Sequence, residues 1–199
     1  MNEKKQFGRK SGSRKPRDFD QTLVDVARVA RVVKGGKRFR FRATIVIGDH
    51  KGKVGLGVAK GPDVTTAIAK AVNQAKKNSI FVPLVNDTIP HEIQYKYSSA
   101  SVLLKPARPG TGIIAGGGVR AVAELAGIKN LLSKMLGSAN KINNIRATLL
   151  ALEAIRQPQA IAARRGKKLS DLGLRPAQNA AVKPAQAKPV LKKEKIVKK

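Results

Sequence analysis

The chain contains no cysteine, so it forms no disulfide and holds no thiolate metal site. That composition suits a reducing compartment such as the cytoplasm. Acidic residues are scarce, with 12 Asp and Glu against 41 Lys and Arg, and the formal net charge is +29. No apolar run approaches the roughly 20 residues of a membrane span. The basic start lacks the apolar core of a signal peptide. There is no long amphipathic helix with a basic face and an aromatic-rich apolar face, which argues against an anionic membrane surface as partner. Catalysis has little to work with. The acids are scattered singly, so paired-carboxylate chemistry is unsupported. Of the two histidines, His50 falls in an expected turn and His91 beside a strand start, positions that suit solvated or structural roles. No metal-ligand spacing occurs, and we expect neither enzyme activity, metal nor cofactor.

What is present is a core and a large positive charge. Hydrophobic residues make up 42% of the 199, enough for one domain or two small ones. A compact protein of this charge repels itself unless a polyanion neutralises it, and nucleic acid is the first candidate. Residues 1–20 read as a flexible basic arm, and residues 166–199 as a basic, Ala/Pro/Lys-rich, largely disordered tail with a short helix at "KKLSDLGL". The folded part divides at Pro83 to Pro90 into segments 21–85 and 86–165.

In "RVARVVKGGKRFRFRATIVIGD" the pair Gly35-Gly36 fits a two-residue hairpin turn. Lys34 would then pair with Lys37, Val32 with Phe39, Arg31 with Arg40 and Val29 with Arg42. Like charges directly opposite destabilise a sheet, and every charge from Arg28 to Arg42 is positive. Phosphate lying over the arginines would account for this pattern. A solvated basic face or another register is the alternative. "ATIVI" reads as a buried central strand. In "VGLGVAKG" glycine recurs at every second position, so something approaches that backbone closely. The helix expected over 62–78 places Ala67, Ala71 and Ala75 in its apolar stripe and is the better occupant, ahead of a ligand. Pro62 suits its first turn and Asp63 its positive end.

The second segment opens with two strands around "SSAS". A short helix follows with Val119, Val122, Ala123 and Ala126 in its stripe and Gly127 as its cap. Leu131 to Leu136 reads as a strand. A helix over 139–155, built on Ile142, Ile145, Leu149 and Leu152, is stopped by Gln157-Pro158, and "PQAIAARRGKK" allows one or two further turns. Two stretches imitate nucleotide motifs. "GDHKGK" is one residue short of a phosphate loop, with Val54 where a hydroxyl is needed. "GTGIIA" matches a loose dinucleotide fingerprint without its strand-to-helix context.

Four ordered stretches, "VVKGGKRFRFRATIVIGDHKGKVGLGVAKG", "GTGIIAGGGVRAVAELAGIKN", "GSANKINNIRAT" and "AARRGKK", resemble the small-subunit ribosomal protein five family of bacteria. The resemblance is collinear from Phe19 to Lys168, and the tail after Leu174 departs from it. It implies an α+β fold: a double-stranded-RNA-binding-like domain of three antiparallel strands and a helix, then a βαβ-type domain. It implies a structural role in the small ribosomal subunit, with small-subunit rRNA and ribosomal proteins four and eight as partners, mRNA nearby at the entry side, no membrane and no homo-oligomer. The "VVKGGKR" loop would reach rRNA near the spectinomycin site. The "GTGIIAGGGVR" region would face protein four and influence decoding accuracy. With aromatics at 4%, backbone contact with RNA is favoured over base stacking. Charge and resemblance together nominate Arg28, Arg31, Lys34, Gly35, Gly36, Lys37, Arg38, Arg40, Arg42, Lys51 and Lys53 for RNA. They nominate Gly110, Gly112, Gly116, Gly117 and Arg120 for a protein interface.

Overall fold

Two antiparallel-based sheets carry the fold of this computed structural model, which describes residues 19–166. The expected N-terminal arm and the 166–199 tail, with the short helix in it, lie outside the described residues except for Phe19, Asp20 and Gly166. The first sheet has the order β1 (Asp20–Val33), β2 (Gly36–Gly48), β3 (Lys53–Gly61) and β4 (Ser79–Phe81), with α1 (Val64–Lys77) between the last two strands. The sequence implies three strands here. The fourth is a three-residue edge that pairs Ser79 to Phe81 with Gly55 to Lys53, too short to show a period in the sequence.

Alternation along β2 explains why "ATIVI" is apolar throughout. Ala43, Ile45 and Ile47 point to one face and pack with Ala67, Ala71 and Ala75 of α1. Val46 points to the other face and joins the core shared with the second sheet. The glycines of β3 serve this packing. A β-carbon on Gly57 would overlap the Ala71 carbonyl, and one on Gly55 would overlap the Ala75 carbonyl. Alternate glycines and an alanine stripe four residues apart thus let helix and sheet approach backbone to backbone. The ligand alternative for these glycines is excluded by the helix itself.

The α1 helix starts two residues later than the sequence suggests. Asp63 is its N-cap, accepting from the Thr65 amide, while Thr66 closes a capping box onto the Asp63 amide. Pro62 therefore stands before the helix and not in its first turn. The Thr65 hydroxyl and backbone amides donating to the Asp63 carboxylate hold its pKa below the ordinary value.

The second sheet has the order β5 (Ile93–Tyr97), β6 (Ala100–Pro106), β8 (Leu131–Gly137) and β7 (Ile113–Ile114). β7 runs parallel to β8, and α2 (Gly117–Ala126) connects them, so β7, α2 and β8 form the expected βαβ unit. The two-residue β7 has no sequence signal of its own. Helix α2 buries Val119, Val122, Ala123 and Ala126 and ends at Gly127 in the left-handed region, φ +85°. Helix α3 (Lys141–Glu153) is shorter than expected and is capped by the Asn140 side chain. Its buried side is more polar than its apolar spacing implies. Asn144, Ala147, Thr148 and Ala151 are buried with Ile145 and Leu152, while Ile142 and Leu149 are half-buried. The short α4 (Pro158–Arg164) follows Gln157.

One core cluster runs through both segments, from Val46, Val54 and Leu56 to Val102, Leu104, Val119 and Leu152. The β2–β3 turn clasps the end of α2. The His50 amide donates to the Leu125 carbonyl at 3.0 Å and the Gly52 amide to Ala126 at 3.0 Å. The His50 ring contacts the Glu124 carbonyl at 2.8 Å and the Asp20 carboxylate at 3.1 Å, a structural position as expected.

Candidate nucleic-acid interface

The length of β1 and β2 creates the site. β3 pairs with β2 only from Phe41 to Gly48. Beyond Phe41 the hairpin continues as a two-stranded arm, and every residue from Lys34 to Arg40 is exposed. The turn consists of Lys34 and Gly35, and Gly35 has φ +87°, a conformation glycine adopts without a β-carbon penalty. Gly36 pairs with Val33 as the first residue of β2.

This corrects the expected register. With Lys34-Gly35 as the turn instead of Gly35-Gly36, each pair slides by two residues, so Arg31 opposes Arg38, not Arg40, and Val32 opposes Lys37, not Phe39. Both glycines are compatible with a turn, and sequence alone does not rank them. A two-residue slide preserves the faces, however. Arg31, Arg38, Arg40 and Arg42 still share one side, and the structure adds Lys60 opposite Arg42. Sequence reasoning missed Lys60 because its alignment becomes visible only with the β2–β3 register.

None of these five cations is within 4.0 Å of a carboxylate among the described residues, whose ion pairs involve Asp20, Asp25, Asp87 and Glu92. The Arg42 Nε and the Thr44 hydroxyl, next to each other on the same face, are buried without a hydrogen-bond partner among the described residues. Two unit charges about 7 Å apart in water repel by about 0.6 kcal/mol. That penalty is small enough for the arm to fold alone and large enough, repeated along the face, to favour an anion across it.

Arg28 and Lys37 lie on the opposite side of the arm, with Phe39 and Val32. The Arg28 guanidinium carbon sits 3.8 Å from the centre of the Phe39 ring. Lys51 and Lys53 are not part of this cluster. Lys51 lies in the β2–β3 turn and Lys53 opens β3, and their amides donate to the Asp49 carboxylate at 2.8 and 2.9 Å. The thirteen residues of β2 separate that turn from the arm tip by about 40 Å at roughly 3.3 Å per residue. Sequence proximity and shared sign group them; strand length separates them.

The glycine-rich segment forms a loop against the second sheet. Gly110 and Gly112 have φ of +90° and +74°, and both amides donate to the Asn130 side-chain oxygen, at 3.0 and 3.1 Å. Asn130 is buried and escaped sequence reasoning, since nothing in "GIKNLL" marks it as an anchor. Of the three glycines Gly116 to Gly118, two leave little room for a side chain. Met135 occupies the space a β-carbon on Gly116 would need, and Ile145 lies close to Gly118. Gly117 alone of the three faces open space. Arg120 is exposed, and its guanidinium donates to the Ile113 carbonyl at 3.2 Å.

Fold and charge define a two-sheet α+β protein with a long hairpin whose outer arm, from Arg28 to Arg42, carries cations and no acidic residue. A family model for the N-terminal domain of ribosomal protein S5 matches residues 19–83, and one for its C-terminal domain matches residues 95–165. The chain is 49% identical over 168 residues to the small ribosomal subunit protein uS5c of Spinacia oleracea, a match covering 83% of this chain. It spans 54% of that relative, about half its length. The chain belongs to the ribosomal protein S5 family.

Proposed function

We propose that this protein is a structural, RNA-binding constituent of the small ribosomal subunit, with no catalytic role. The observation that carries this reading is the arginine face of the β1–β2 arm, where Arg31 opposes Arg38 with no carboxylate in reach among the described residues. The partner is small-subunit rRNA, contacted through its phosphates by Arg31, Arg38, Arg40, Arg42 and Lys60, with Lys34 and Lys37 near the tip. Lys51 and Lys53, at the far end of the sheet, would meet a separate stretch of RNA. Residues 21–85 act as the RNA-binding half in this reading, and residues 86–165 as the half that meets other proteins. There, Gly117 and Arg120 beside the loop of Gly110 and Gly112 form the contact with ribosomal protein four and influence decoding accuracy. Ribosomal protein eight and the mRNA entry side complete the surroundings, in the cytoplasm.

Sucrose-gradient fractionation of cells expressing the tagged protein tests the assignment. Co-migration with the small subunit that survives a high-salt wash is expected. Release into the soluble fractions would contradict it.

A further inference from the structure

The arm has a second face that phosphate binding does not explain. Val32 is 75% exposed and Phe39 47% exposed, both on an arm rich in cations. Register places Arg28 opposite Phe41 and Ala30 opposite Phe39, so Arg28 and Phe39 are diagonal neighbours on one face. Only 3.8 Å separates the guanidinium carbon from the ring centre, a stacking distance. Helix α1 covers this face of the sheet further along, over Ala43, Ile45 and Ile47. The exposure of Phe39 and Val32 shows that the cover does not extend to the arm.

A guanidinium stacked on an aromatic ring is a flat cation. Unpaired bases of RNA stack on such planes, on aromatic rings and on arginine alike. The small side chain of Ala30 stands directly opposite Phe39, beside Arg28 on its own strand. Val32 and Lys37 flank the pair toward the tip, one offering an apolar edge and the other a cation for the phosphate next to the base.

We infer that Arg28 and Phe39 form a stacking platform for an unpaired nucleobase, so that the arm holds RNA phosphates on one face and a splayed-out base on the other. This rests on the RNA-binding reading of the arm and adds base contact to it, against the sequence-based expectation that aromatics contribute little.

The test uses the full chain and two RNA stems of equal length, one fully paired and one with a single bulged 2-aminopurine. Wild-type protein should quench the 2-aminopurine and bind the bulged stem more tightly. Phe39→Leu, which keeps every charge, should lose the quenching and weaken bulged-stem binding about tenfold. Its binding to the paired stem should not change. Arg28→Lys should lose most of the quenching while keeping the salt dependence. Phe39 is exposed, and matching melting curves will confirm that its variant is folded. Unaltered preference for the bulged stem in Phe39→Leu overturns the platform and leaves phosphate binding standing. Failure of wild-type protein to bind either stem with salt dependence overturns both.

Discussion

Gly57 of β3 lies directly beneath Ala71 of α1, so close that any β-carbon at residue 57 would overlap the Ala71 carbonyl. The neighbour is backbone and has no rotamer to yield. Gly57→Val is therefore expected to lose about 3 kcal/mol or more of stability, at the upper end of overpacking costs. Gly117→Ala, in open space on a helix, should match or exceed wild type. Urea unfolding of the two variants checks both. Equal midpoints would mean that α1 is not seated on β3 in solution.

Asn130 anchors the loop with one side-chain oxygen shared by the Gly110 and Gly112 amides. Asn130→Ala leaves both donors without that acceptor and should cost about 2 kcal/mol. Asn130→Asp retains an acceptor and should cost less. Amide hydrogen exchange at Gly110 and Gly112 should quicken in the alanine variant. Unchanged exchange there would remove Asn130 as the anchor.

Asp63 gives the fold a defined acid response. Hydrogen bonds from the Thr65 hydroxyl and nearby amides favour its ionised form and depress its pKa in the folded state. Its contribution is thus fully present above the ordinary carboxylate pKa of about 3.9 and is lost as pH falls through the lower folded value. Asp63→Asn keeps a capping oxygen without the charge. The stability gap between wild type and this variant should be wide at pH 7 and narrow well below pH 3.9. A gap independent of pH would contradict the cap's ionic character.

Gly117 and Arg120 are exposed positions at the start of α2. Gly117→Arg and Arg120→Glu should leave thermal unfolding nearly unchanged while raising stop-codon readthrough in a reporter strain. Gly112→Arg is a poorer probe, because forcing a side chain into φ +74° costs roughly 1–2 kcal/mol on its own. Normal readthrough with both variants incorporated would show that this edge touches no accuracy-determining partner.

Much of the fold was legible because its periods are clean. The alanine stripe of α1 and the alternate glycines of β3 each imply the other, and the structure seats them together. The capping glycine of α2 and the strand from Leu131 are equally plain. What was not legible depends on distance along the chain. The packing of α2 against the first sheet, the two-residue β7 and the anchor Asn130 have no local pattern to betray them. The hairpin faces were readable because alternation survives a two-residue slide, while the register was not, because either glycine suits the turn. The separation of Lys51 and Lys53 from the tip is legible in the sequence too, since the length of "GKRFRFRATIVIG" already sets them far from it.

The central claim is that the arginine face of the arm binds RNA phosphates, and the salt dependence of RNA binding tests it most directly. For wild-type protein and a fully paired RNA stem, log affinity should fall steeply and linearly with log salt. Replacing Arg31 and Arg38 together with glutamine should weaken binding and reduce the magnitude of the slope by about 0.7–0.9 for each phosphate no longer neutralised. A slope identical to wild type in the double variant would show that the phosphates lie elsewhere and would contradict the account.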